Sequence, residues 1–305
     1  MGLKDWFDAS AERIRQNGWE GVGDTLYDLY RESWRLAYPI PRGTNVYERD
    51  WDVLLILDAC RVDLMRSVAD EYDFIGSAEN VERFGSVGSM SKEWMAKTFK
   101  KKYADEVSET AYITANVFSE EMLNADDFLL LDEVWKYAWD TDAGTVPPRP
   151  VTDRIVKTAR EKNPERIIAH YVQPHHPFLS LDRFDDAAPF GPDADDTVVD
   201  ALRKGKIDRD DYWVAYRENL HAVLDDVELL LSNLDAEKVV ITSDHGDALG
   251  EWGVYDHPVG CLHPVVRTVP WVETSAEDTG EHEPSDVRDG DETTVEDRLR
   301  SLGYV

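Results

Sequence analysis

An apolar run, Val239, Val240 and Ile241, leads through Thr242 and Ser243 into Asp244, His245 and Gly246. A strand that ends in a carboxylate and an imidazole carries two metal ligands to the rim of a sheet. A second run, Val53 to Leu57, feeds straight into Asp58. In open α/β sheets ligands bind beyond the carboxyl ends of the strands, so these two distant points are expected to meet and form one site. Oxygen and nitrogen donors of this kind suit one divalent ion, Mn, Zn, Mg or Ca according to geometry, held by Asp58, Asp244 and His245.

The elements that must position these residues follow from apolar periodicity and turn chemistry. Strands are expected at 53–58, near Phe74, at Ala111–Thr114, at Arg166–Val172 and at 238–243. Helices are expected at Arg61–Asp70, Ser91–Lys101, Thr152–Glu161 and Tyr212–Leu234, with a glycine-containing turn at Gly85 and Gly88 and a proline-marked helix entry at Pro147, Pro148 and Pro150. Strand and helix alternate, which predicts an α/β three-layer sandwich: a central, mostly parallel sheet with helices on both faces. Residues 179–208, rich in Asp, Pro and Gly, read as a lid or insertion on the substrate side. The acidic stretch Ser275–Glu292 reads as a solvated loop. The division expected is an N-terminal helical segment over 1–48 and one α/β domain over 49–305.

A chain of 305 residues with a formal charge of -30 repels nucleic acid and anionic lipid through its bulk surface, so nucleic acid is excluded as a partner. The acid is spread along the chain, as in proteins that fold in a high-salt cytoplasm where ions screen self-repulsion. Cys60 and Cys261 are too few for a disulfide framework or a thiolate metal site. With no signal-peptide pattern and no apolar stretch of spanning length, a cytoplasmic protein without a transmembrane segment is expected. Trp6, Phe7, Ile14, Trp19, Leu26, Leu29, Tyr30 and Trp34 fall near helical spacing. That segment reads as packing on the domain or on another subunit, or as a peripheral membrane-surface helix.

Several segments together resemble the alkaline phosphatase superfamily in its sulfatase-like hydrolase and transferase branch, here as a haloarchaeal-type acidic member. They are LLILDACR at 54–61, GSMSKEW at 88–94, QPHHPF at 173–178, TSDHGDALGEWGVYDHP at 242–258 and the closing RLRSLGYV. The resemblance covers nearly all of the chain after about residue 50. It implies a hydroxyl nucleophile at a helix start that also coordinates the metal, and register against the transferase branch puts Ser89 there, with Ser91 as the alternative. A helix N-terminus favours a developing anion. The resemblance further implies that His175, or its neighbour His176, and His257 bind transferred oxygens or protonate the leaving group. Arg61 would pair with the anion and Glu251 would orient a ligand.

The sequence departs from formylglycine sulfatases, because neither Cys60 nor Cys261 lies in a CxPxR motif. The balance shifts toward serine chemistry on a phosphodiester or related phosphoryl or sulfuryl ester, with glycan- and lipid-linked esters among the expected substrates. The second metal-ligand set of two-metal relatives finds no acidic match, so a single ion is expected. The alternative is a catalytically silent protein that binds a phosphorylated glycan or lipid headgroup.

Overall fold

A computed structural model describes residues 3–38, 42–180, 196–285 and 294–303, without the side chains of residues 3–8 and Glu20. The expectations on Trp6 and Phe7, on much of the lid, on the end of the acidic loop and on the last two residues lie outside that description.

Val53–Leu57 (β1) is buried at every position. Its odd members, Val53, Leu55 and Leu57, join one core cluster, while Leu54 and Ile56 join another. A strand apolar on both faces has to sit in the middle of a three-layer structure. The remaining strands are β2 (Glu82–Gly85), β3 (Thr110–Thr114), β4 (Leu130–Glu133), β5 (Arg166–Tyr171), β6 (Ala236–Thr242), β7 (Ala248–Leu249), β8 (Tyr255–Asp256) and β9 (Thr268–Ala276). Six of these join β1 in one seven-stranded sheet in the order β2-β9-β6-β1-β5-β3-β4. From β6 to β4 the pairing is parallel, and β9 and β2 close the other edge antiparallel. β7 and β8 form a separate hairpin. The α/β sandwich with a mostly parallel central sheet is therefore the fold.

β1 pairs with β6 on one side and with β5 on the other, Val53 opposite Val239 and Ile167. This adjacency makes Asp58 and Asp244 neighbours at the sheet's carboxyl edge. Helices Pro148–Lys162 and Arg209–Leu231 cover one face, the first opening on Pro148 where a missing N–H is harmless. Preceding β1 are α1 (Leu3–Asn17) and α2 (Trp19–Ser33), and following it come α3 (Val62–Arg66) and α4 (Ser91–Thr98).

Some expected elements differ. Phe74 lies in a turn, since Tyr72, Phe74 and Ile75 pack on the core from irregular chain and make no sheet pairing. The helix expected over Arg61–Asp70 stops at Arg66 and resumes as a short 3-10 turn, Ala69–Glu71. β2, β4 and β9 had no sequence counterpart, because their apolar content is split by Arg83, by Asp132 and by Pro270 respectively.

Leu55 has no exposed surface and packs in the larger cluster. Leu55→Ala is expected to cost about 2–5 kcal/mol through lost burial and a residual cavity, read as a lower urea midpoint at unchanged slope.

Candidate active site

Asp58 stands at the end of β1 and Asp244 two residues past β6, each at most 1 % exposed. Both carboxylates are oriented by hydrogen bonds to one oxygen only. Asp244 Oδ1 accepts from the backbone N–H of Ala59 at 3.2 Å and of His245 at 2.9 Å. Asp58 Oδ2 accepts from Ser91 Oγ at 3.1 Å and from Asn116 Nδ2 at 2.8 Å. The other oxygens, Asp58 Oδ1 and Asp244 Oδ2, are buried and receive no hydrogen bond among the described residues. His245 Nε2 lies 3.3 Å from each of them. His245 Nδ1 is 3.0 Å from the Gly246 carbonyl, an arrangement that places the ring proton there and turns the Nε2 lone pair toward the carboxylates.

Two buried acidic oxygens facing one imidazole nitrogen require positive charge between them. Burial disfavours the Asp58 charge, yet the facing imidazoles of His170 and His245 hold its carboxyl well below the ordinary range. Burial likewise disfavours His245 as a cation, and the Asp244 carboxylate outweighs it and lifts the imidazole above its usual value. Unbonded carboxylate oxygens and an imidazole of fixed tautomer are the donor set a divalent cation takes, so the residues fit a metal held by Asp58, Asp244 and His245.

Local chain geometry serves this convergence. Ala59, directly after Asp58, has φ 60°, a conformation that a residue with a Cβ rarely adopts, and its N–H reaches Asp244 as a result. At Gly246 a Cβ would lie 2.1 Å from the Val265 carbonyl oxygen, so only glycine lets the chain turn here. At Gly88 a Cβ would meet the Trp94 backbone nitrogen at 2.5 Å, which seats the preceding turn against α4.

The two candidate serines have different surroundings. Ser89 Oγ donates to Glu93 Oε2 at 2.6 Å and lies 2.9 Å from the Pro258 carbonyl oxygen, away from the carboxylate pair. Ser91, the first residue of α4, directs its hydroxyl at Asp58 and lies 3.4 Å from His245 Nε2. Its side chain does not cap the helix, since the capping position is Met90 and carries no side-chain bond. Ser89, expected from the sequence as the nucleophile, is held here by Glu93, which is buried and tied also to Lys97 and Arg267.

Arg61 is also differently employed. Its guanidinium makes two bonds to Asp63, one to Glu251 Oε1 at 3.0 Å and one to the Asp247 carbonyl at 2.9 Å. It is 4 % exposed and leaves no fork for an anion. Glu251 accepts from Arg61, Arg209 and the Leu249 N–H, so it secures the β7–β8 turn.

His257 stacks on His245 with ring centroids 4.3 Å apart, and His175 lies 5.1 Å from His257. His176 sits behind His175 against the C-terminal turn, where its Cε1 is 2.8 Å from the position of a Gly303 Cβ. Burial pushes both His175 and His176 below the ordinary imidazole value. His257 behaves in the opposite way. Burial opposes its charge, but Asp256 Oδ1 at 2.5 Å and Asp247 Oδ1 at 3.7 Å from Nδ1 raise it well above the usual value.

Asp247, Asp256 and His257 bring ligand-type atoms within 4.8 Å of one another, so the acidic partners that the sequence reading did not find for His257 exist. Asp256 lies at φ 66°, a backbone feature that residue types do not reveal. His170, within β5, was likewise unrecognised. Its Nε2 is 3.7 Å from both Asp58 Oδ2 and Asp244 Oδ2, and its Nδ1 is 2.8 Å from the Tyr112 hydroxyl. Burial keeps Tyr112 protonated, so it can donate to Nδ1 and place the ring proton on Nε2, facing the carboxylates.

Asp244→Ala is expected to abolish binding of Mn or Zn measured by calorimetric titration. His170→Ala, which leaves the three ligands but removes their neighbour, should weaken it by about 10–100-fold.

No family model and no curated protein matches the chain. In structure it is similar to the soluble domain of lipooligosaccharide phosphoethanolamine transferase A from Neisseria meningitidis, with TM-score 0.49 and 15% identity over 75% of this chain and 77% of that one. It spans 60% of the integral membrane form of that transferase. It is similar also to the C-terminal periplasmic domain of EptC from Escherichia coli in complex with Zn, with TM-score 0.45 and 14% identity over 81% of this chain and 79% of that one. A protein in the alkaline phosphatase superfamily from Vibrio parahaemolyticus aligns with TM-score 0.39 and 10% identity over 81% of this chain and 69% of that one.

Proposed function

We propose that the protein is a metal-dependent hydrolase or transferase that opens a phosphodiester or related phosphoryl or sulfuryl ester, with Ser91 as the nucleophile. The observation that carries this reading is the position of Ser91 Oγ: first residue of α4, fully buried, and within 3.4 Å of both Asp58 Oδ2 and His245 Nε2. A hydroxyl placed on metal-type ligands at a helix start has the surroundings that favour its anion. A divalent ion held by Asp58, Asp244 and His245 would supply charge to the ionised serine oxygen and polarise the ester.

The chain's own groups account for the rest. Ser91, having released its hydroxyl proton to solvent, bonds through Oγ to phosphorus in line with the departing ester oxygen, and the bond from phosphorus to that oxygen breaks. His257 is kept protonated by Asp256 and Asp247 and has Nδ1 engaged by Asp256, so it gives the leaving alkoxide its proton through Nε2. The neutral imidazole then takes a proton from water or from an acceptor alcohol, whose oxygen attacks the phosphoseryl group and releases Ser91. His175, held neutral by burial beside His257, adds no second positive charge to repel the imidazolium.

With an aryl phosphodiester and added Mn or Zn, Ser91→Ala is expected to lower turnover by about three orders of magnitude or more while the fold persists. Ser89→Ala should retain turnover within about tenfold and lower stability by about 1–3 kcal/mol through the buried Glu93 it leaves short of a donor. The reverse pattern would remove Ser91 from the reaction.

A further inference from the structure

Nine large apolar side chains are exposed among the described residues, and seven of them fall between Ile14 and Tyr38. An eighth, Trp252, is 68% exposed on the turn between β7 and β8, where its carbonyl accepts from the Tyr30 hydroxyl at 3.1 Å. Single exposed apolar residues are ordinary, but a contiguous group of this size is not. Along α2 and the 3-10 turn that extends it, Trp19, Leu26, Leu29 and Leu36 recur at spacings of seven, three and seven, which is one helical face. Trp19 is 90% exposed and Leu36 85%.

The opposite face of α2 is committed to the protein. Gly21 lies so close to α1 that a Cβ would be 2.5 Å from the Arg13 carbonyl oxygen. The Tyr27 hydroxyl donates to the Tyr255 carbonyl at 3.0 Å and accepts from the Tyr255 N–H at 3.1 Å. Trp34 packs against the small cluster of Ala248, Val254 and Cys261. The outward row is therefore left by a helix already seated.

We propose that this face docks on the surface of a lipid bilayer. Half of the eight patch residues are Trp or Tyr, whose amphipathic rings settle at headgroup level. Charge points the same way. Residues 1–49 carry seven basic and eight acidic side chains, whereas the remaining chain carries 26 and 55. Asp24 and Asp28 are neutralised by Arg203 and Arg13, Lys97 lies 4.6 Å over the Tyr38 ring, and Arg31 is exposed beside the row. The molecule thus turns its nearly balanced segment outward and keeps its excess negative charge elsewhere. A second copy of the chain fits less well, because two bodies of charge -30 repel. Each helix has 15 residues, about 22 Å at 1.5 Å per residue, and no helix of the described residues is long and apolar enough to span. The docked segment lies in the interface plane.

The test uses the full-length protein floated with vesicles of phosphatidylcholine alone or mixed with phosphatidylglycerol, at low and high salt. It reads binding without turnover, so it stands or falls apart from the reaction proposed above. The wild type is expected to float with phosphatidylcholine vesicles. Trp19→Ser combined with Leu36→Ser should lower its partition about tenfold or more, with circular dichroism unchanged, while Leu129→Ser, exposed outside the patch, leaves it intact. Failure of the wild type to float with either vesicle, or equal flotation of the double variant, would overturn the proposal. So would a dimer in sedimentation that the same double substitution dissociates, since the patch would then belong to a second copy.

Discussion

Two carboxylates buried at the ends of neighbouring parallel strands, Asp58 after β1 and Asp244 after β6, set the terms for everything built around them. Neither can keep its charge in that setting without a cation or a proton close by. The surroundings supply ordered donors to one oxygen of each and hold the other oxygens toward a common point. Ala59 adopts an uncommon backbone conformation for this, and Gly246 is required by the nearby Val265 carbonyl. The surrounding fold is what holds these costly local choices in place.

Much of the remaining charge near the site acts as framing. Arg61 binds α3's first turn to the β7–β8 hairpin through Asp63, Glu251 and the Asp247 carbonyl. Glu93 gathers Ser89, Lys97, Arg267 and the Gly260 N–H beneath the start of α4. Ser89 and Ser91 thus lie two residues apart on either side of the helix boundary, one fastened to the frame and one turned to the carboxylates. Near the carboxylates the group whose surroundings favour positive charge is His257, which Asp256 and Asp247 raise above the ordinary imidazole value, while Arg61 is spent on the frame.

What the sequence made legible was decided by how strongly each signal is written in apolar pattern. Val53–Leu57 and Val239–Ile241 are uninterrupted apolar runs, and each delivers its acidic residue to the same edge because parallel strands share a direction. β9 is hidden in the sequence because Pro270 and Glu273 break its pattern, and Pro270 is tolerated there because the pairing of β9 with β6 stops at Trp271, which leaves Pro270 opposite β2 alone. Which of Ser89 and Ser91 faces the carboxylates depends on helix phase, which residue types alone do not encode. His170 is one polar residue inside a buried strand, Asp247 directly precedes β7 and Asp256 ends β8, and none of the three stands in a pattern of its own, so only spatial convergence distinguishes them.

The parallel register of β1 with β6 and β5 has a further consequence for how finely such a centre can vary. Strand pairing advances in whole residues of about 3.3 Å, and each step reverses the face to which a side chain points. Asp58 therefore has no small longitudinal adjustment open to it through the sheet. One step would carry the carboxylate past its partner and bring Leu57 toward its place, while sending Leu55 from one core into the other. The sheet works as a stepped gauge: fine alignment is left to the short turns beyond it, and coarse misalignment is incompatible with folding at all.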